Sequence, residues 1–150
     1  MALTVTKHTD QFSSSPQLNP EDMAEIAKLG FKSIINARPD NEGGNTQPSS
    51  EIMQKAAAQA GLSYVHIPVV PNNIQADAIE ACARFVSDAP KPMLGFCKSG
   101  MRAASLYRFA EQKNNPNAES QHWLTQKVSD FFANKCLLTK LYRKIANTNK

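Results

Sequence analysis

A chain of 150 residues, 41% hydrophobic and 20% charged, is ordinary globular material and long enough for one domain with its own core. No run of about 18 apolar residues is present, so no membrane-spanning helix is expected, and Met1 to Asp10 lack an apolar stretch of secretory-signal type. The net charge of +4 is unevenly placed: after Asp130 come five cationic residues and no acidic one, leaving a nearly neutral body for which neither a nucleic-acid nor a membrane partner is expected.

In chain order, Asn19-Pro20-Glu21-Asp22 reads as a helix start, with Asn19 as N-cap, proline at the first helical position and acids in the first turn; Gly30 is the stop. A strand is expected over 31–37. Arg38 to Pro48 is a polar, glycine-rich loop that cannot support a core. Ser50 is placed to cap a second helix whose Ile52, Met53, Ala56, Ala57 and Ala60 share a face, and Gly61 ends it. A second strand follows over 62–67. From Ile74 to about Asp88, apolar residues at Ile74, Ala78, Cys82, Phe85 and Val86 mark the buried side of a helix, and Pro92 to Phe96 reads as a third strand. A helix-like run covers Ala103 to Gln112. Beyond Asn115-Pro116, two apolar stripes, around Trp123 to Phe132 and Leu138 to Ile145, predict a helical segment over 116–150 that packs back on the sheet.

Strands separated by helices predict an α/β fold with a largely parallel central sheet and helices on both faces, in a single domain over 1–150. Ligands of such sheets collect at the carboxyl ends of the strands, which gathers the Arg38 loop, the Val69 to Asn73 loop and the segment after Phe96.

That last segment, Cys97-Lys98-Ser99-Gly100-Met101-Arg102, joins a strand directly to a helix. Such a turn points several backbone N–H groups inward with the positive end of the helix dipole behind them, which makes a cradle for an anion. Gly100 permits the backbone its torsions, and Arg102 can grip two oxygens through its planar fork. Cys97 is placed at the mouth, where the same field should lower its pKa from about 8.5 towards roughly 3.5–7.5 and supply a thiolate nucleophile. Lys98, Ser99, Gly100, Met101 and Arg102 are the expected oxyanion-binding residues, with Cys97 and Arg102 catalytic. No metal or cofactor is expected. Three widely spaced cysteines, at 82, 97 and 136, match neither a disulfide framework nor a zinc site and point to a reducing, cytoplasmic setting. Cys82 falls on the apolar stripe and reads as packed.

With Phe12 to Asp22, Gly30 to Asp40 and Gly61 to Val69 in the same order and spacing, this loop resembles that of small bacterial phosphatase-like proteins. These are related to the phosphatase-like domain fused to beta-lactamase-like hydrolases. The resemblance runs from about residue 10 to about 112. It implies a dual-specificity-phosphatase-like fold in which Cys97 attacks phosphorus, forming a phosphocysteine, and Arg102 holds the phosphate of a phosphorylated substrate or other small oxyanion.

Three features depart from the phosphatase pattern. Four residues rather than five separate Cys97 from Arg102, a spacing seen in many rhodanese sulfurtransferases. Ala103 stands where a hydroxyl usually helps the thiol to depart. Val70 to Asn73 carries no carboxylate to protonate the leaving oxygen. Asp77, the nearest, is either a general acid brought in by loop movement or a first-turn helix residue off the buried face. Arg38 is either a second contact to substrate or a loop arginine paired with Asp40 or Glu42. His66 lies in an alternating strand, facing solvent or hydrogen-bonded. The alternatives to a phosphatase are a rhodanese-like sulfurtransferase carrying a persulfide on Cys97, and an oxyanion-binding module without catalysis.

Overall fold

The computed structural model describes residues 3–117. Five strands and four α-helices follow one another as β1 (Thr6–Lys7), β2 (Phe12–Ser15), α1 (Asp22–Lys28), β3 (Ser33–Asn36), α2 (Ser50–Gln59), β4 (Ser63–His66), α3 (Ala76–Asp88), β5 (Met93–Phe96) and α4 (Met101–Asn114). They form one sheet in the order β1-β2-β5-β3-β4, parallel throughout except for the antiparallel edge strand β1. The expected α/β class and largely parallel sheet are therefore present. The helical segment expected over 116–150, with its Trp123 and Leu138 stripes and Cys136, lies outside the described residues except for Pro116 and Asn117.

Two apolar layers cover the sheet. On one face Cys82, Ala83 and Val86 of α3 and Ala103, Leu106, Tyr107 and Ala110 of α4 pack with Phe12, Ile35 and Met93. On the other, Met23 and Ile26 of α1 and Met53 and Ala57 of α2 pack with Ile34, Leu94 and Phe96. Each large side chain fully buried in this way contributes about 1.5–3 kcal/mol of transfer free energy. Ile34 and Ile35 point to opposite layers because successive strand residues alternate.

Three local readings need correction. The first helix begins at Asp22, one turn after Asn19, and its capping runs in reverse: the Asp22 carboxylate accepts the Asn19 N–H at 2.7 Å. The second helix is capped by Ser49, whose hydroxyl accepts from Ile52 N–H at 3.4 Å, while Ser50 is the first helical residue and is itself held by Asp40. The sheet also has two strands that the pattern did not reveal, β1 and β2. The second of these, Phe12-Ser13-Ser14-Ser15, lies beside β5 and is entirely buried.

Register brings the strand ends level. Ser15 and Asn36 flank Phe96, and His66 stands next to Asn36, so the four parallel strands finish along one edge. Beyond it the ladder continues through Ala37 N–H to Phe96 C=O and Val69 N–H to Ala37 C=O. Gly95 sets how closely α4 approaches that edge. A Cβ there would stand 2.9 Å from the Phe12 ring and 3.0 Å from the Ala103 methyl, and Phe12 is already stacked on Tyr107 with ring centroids 3.8 Å apart. We expect Gly95→Ala to cost about 1–3 kcal/mol through overpacking. Urea unfolding that shows no loss would mean the helix has room to retreat.

Candidate active site

The Cys97 loop is held from below by β2. Gly100 has φ +93°, and a Cβ on it would sit 3.0 Å from the Ser15 carbonyl oxygen and 3.3 Å from the Ser14 hydroxyl. Only glycine combines that torsion with that approach. The turn so made leads into α4 at Met101, and Gly100 N–H points back at the Cys97 sulfur at 3.2 Å.

Cys97 is not at the mouth but on the floor, with no solvent exposure. Burial alone pushes its thiol up. Backbone N–H groups of Ala103, Ser99, Arg102 and Gly100 converge on the sulfur and outweigh that effect, so the thiol lies below its ordinary value. Hydrogen bonds to the charged form do the work that the sequence assigned to the turn. Cys82 is the contrast: buried on α3 with burial acting alone, its thiol is pushed up to about 12 and stays protonated.

Arg102 comes from the first turn of α4 and meets a residue from a distant loop. Its Nη1 donates to Glu42 Oε1 at 2.6 Å and to the Val69 carbonyl at 2.8 Å, and its Nη2 donates to Glu42 Oε2 at 2.9 Å. The same carboxylate accepts from Arg38 Nε at 2.7 Å. Arg102 first of all, with Arg38 after it, pulls the Glu42 carboxyl down to about 2. Glu42 in turn raises the Arg102 pKa, with a smaller contribution in the same direction from the Cys97 sulfur beside the guanidinium.

Of the two readings of Arg38, pairing with Glu42 is the one the structure supports. Its side chain is nearly buried, with Nη1 donating to Gln17 Oε1 at 2.8 Å. Asp40 is used elsewhere, accepting the Ser50 N–H and hydroxyl at the start of α2. His66 is hydrogen-bonded, its Nε2 lying 2.9 Å from the Arg38 carbonyl oxygen. Asp77 is exposed on the first turn of α3, where its carboxylate accepts the Ala78 N–H at 2.8 Å. Lys98, Ser99 and Met101 turn exposed side chains outward and so face the loop's surroundings. Val70 to Asn73 closes as a tight turn, Asn73 N–H to Val70 C=O at 3.2 Å with Asn72 at φ +60°. The carboxylate nearest Arg102 among the described residues is thus Glu42, ionised and unsuited to giving up a proton. No cluster of metal-ligating side chains occurs among the described residues.

The sequence does match a known family. The model of the phosphatase-like domain of beta-lactamase hydrolase-like protein covers residues 4–113. The chain belongs to that family. A beta-lactamase hydrolase-like protein of Xylella fastidiosa strain Temecula1 is 38% identical to it over 102 residues, 68% of this chain and 23% of the relative. One from Agrobacterium fabrum strain C58 is 42% identical over 94 residues, 60% of this chain and 21% of the relative. The chain thus spans about a quarter of the length of the curated relatives it matches.

Solved structures agree with that membership. A "putative phosphatase" of Neisseria meningitidis Z2491 superimposes with a TM-score of 0.61 at 34% identity, covering 68% of this chain and 72% of that one. One from Shewanella putrefaciens CN-32 gives 0.62 at 26% identity, covering 75% and 73%. Tk-PTP, at 15% identity and a TM-score of 0.52, shares the fold over 90% of this chain and 97% of its own. The phosphatase-like domain therefore has the architecture of the cysteine-phosphatase fold. Among its described residues no helix is long and apolar enough to cross a membrane.

Proposed function

We propose that this phosphatase-like domain hydrolyses phosphate monoesters through Cys97. What carries the reading is a sulfur surrounded by four inward backbone donors, with a guanidinium beside it. The thiolate attacks phosphorus, forming the S–P bond as the P–O bond to the leaving group breaks and its electron pair departs on oxygen. Met101 and the other residues of the loop, Lys98 to Arg102, contribute the cradle, and Arg102 steadies the charge on the equatorial oxygens. Water then attacks the phosphocysteine, releasing phosphate and regenerating the thiolate. The substrate is a small oxyanion or a phosphorylated molecule, handled without cofactor or metal.

A second reading, sulfur transfer, is favoured by two particulars. The position after Arg102 is Ala103, which offers the sulfur a backbone N–H and no hydroxyl. The turn that touches Arg102 through Val69 has amides where a carboxylic acid would serve. A persulfide cycle needs neither group. The Cys97 thiolate attacks the outer sulfur of thiosulfate, the S–S bond breaks with its electron pair leaving on sulfite, and cyanide removes the bound sulfur as thiocyanate.

Phosphate release from an aryl phosphate and thiocyanate formation from thiosulfate and cyanide, each compared with Cys97→Ser, separate the two. We expect Cys97-dependent phosphate release, faster by at least about 10²-fold for aryl than for alkyl esters, because no positioned acid assists the leaving oxygen. Equal rates on both esters would contradict the missing acid. Thiocyanate without phosphate would replace the first reading by the second.

A further inference from the structure

Arg102 has five N–H donors, and three of them are committed: two to the Glu42 carboxylate and one to the Val69 carbonyl. The two that remain, on Nε and Nη2, lie along a single edge of the planar group, and it is from there that the guanidinium hydrogen-bonds the Cys97 sulfur. Glu42 is fixed in its turn. Arg38 Nε holds it, Gln17 Oε1 holds Arg38, and Gln17 N–H reaches the Lys98 carbonyl at 3.4 Å. A chain of hydrogen bonds thus leaves the Cys97 loop at Lys98, passes through three side chains and returns to the loop at Arg102. It is packed as well as bonded: a Cβ on Gly43, next to Glu42, would come within 2.8 Å of Arg38 Nη2.

We infer that Glu42 is a positioning residue: it holds Arg102 by one edge so that the opposite edge, carrying Nε and the second Nη2 proton, stays turned to the Cys97 sulfur and is presented to an oxyanion in the cradle. The inference rests on the oxyanion reading of the loop. It adds a role for a carboxylate that, by charge alone, works against anion binding. Two unit charges a few ångströms apart near a surface repel appreciably, so a glutamate beside a phosphate site is unfavourable unless it returns something in geometry. What it returns is a guanidinium fixed in advance, with its rotamer entropy lost on folding instead of on binding.

The sign of one measurement decides between these effects. Orthovanadate affinity is measured calorimetrically on the full chain for wild type, Glu42→Gln and Gln17→Ala, alongside the ultraviolet titration of the Cys97 thiolate. Positioning predicts that Glu42→Gln binds vanadate about ten- to thirtyfold more weakly, and Gln17→Ala a few-fold more weakly, while the thiol continues to titrate below an ordinary cysteine because the backbone donors are untouched. Unchanged or tighter binding in Glu42→Gln would overturn the inference and make Glu42 a charge opposing the ligand. A thiol returning to ordinary values together with the lost affinity would also overturn it, since that is the mark of a collapsed loop. A wild-type chain that binds neither vanadate nor phosphate would remove the oxyanion reading itself, and the inference with it.

Discussion

Cys97→Ser is expected to lower turnover of an aryl phosphate by at least about 10⁴-fold, with the fold intact by circular dichroism and urea unfolding. A serine hydroxyl in the same nest remains protonated at neutral pH, so the four backbone donors that favour the thiolate have no anion to favour. The direction of the thiol's shift fixes the pH dependence. Activity should rise with pH through a value below that of a free cysteine, because only the ionised sulfur attacks, and should fall away as pH drops beneath it. A folded pKa below the unfolded one also means that thiolate ionisation supports the folded state above the unfolded value and ceases to do so as pH falls through the folded one. An ascending limb at the position of an ordinary thiol would show that burial prevails over the amides.

Arg102→Lys is expected to reduce kcat/KM by about 10²- to 10³-fold even though the charge is kept. A single ammonium cannot serve both Glu42 oxygens, the Val69 carbonyl and a substrate oxyanion together. Glu42 would then be left with part of its hydrogen bonding unmet, at a stability cost of about 1–3 kcal/mol. Acid unfolding provides the check. With the Glu42 carboxyl at about 2 in the wild type, its ionisation stabilises the fold above the ordinary carboxylate value, and that contribution fades as pH falls towards 2. In the variant the loss should be smaller and should be complete at a higher pH, because the folded carboxyl is held less far below its ordinary value. A kcat/KM within tenfold of wild type would mean that the amides alone carry the oxyanion.

Glycines make much of this arrangement legible in the sequence. Gly30, Gly61 and Gly100 all have positive φ, at +96°, +75° and +93°, and they mark two helix ends and the functional turn where the pattern placed them. The Cys97 loop could be read because its chemistry is local: strand, nucleophile, glycine, arginine and helix lie within a few residues. β2 could not. Three serines give no apolar alternation, and their burial is tolerated because nearby groups hydrogen-bond the hydroxyls: His8 Nε2 lies 2.7 Å from Ser14 Oγ, and the Pro16 carbonyl accepts from Ser15.

Glu42 was visible as a partner for Arg38 four residues away. Its two bonds to Arg102 span sixty residues and depend on level strand ends, which no single-sequence pattern encodes. The placing of Cys97 at the mouth failed for a related reason. Spacing describes the turn of the chain and says nothing of how deeply neighbouring elements bury it.

The strand order has a consequence for assembly. β5, the last of the five along the chain, is the member that joins the pair β1 and β2 to the pair β3 and β4. Without it the sheet would be two separate ribbons, and joining them requires contacts across some eighty positions of chain. The nucleophile follows immediately after that final strand. Closure of the scaffold and assembly of the donors around the sulfur are therefore tied to the docking of one strand.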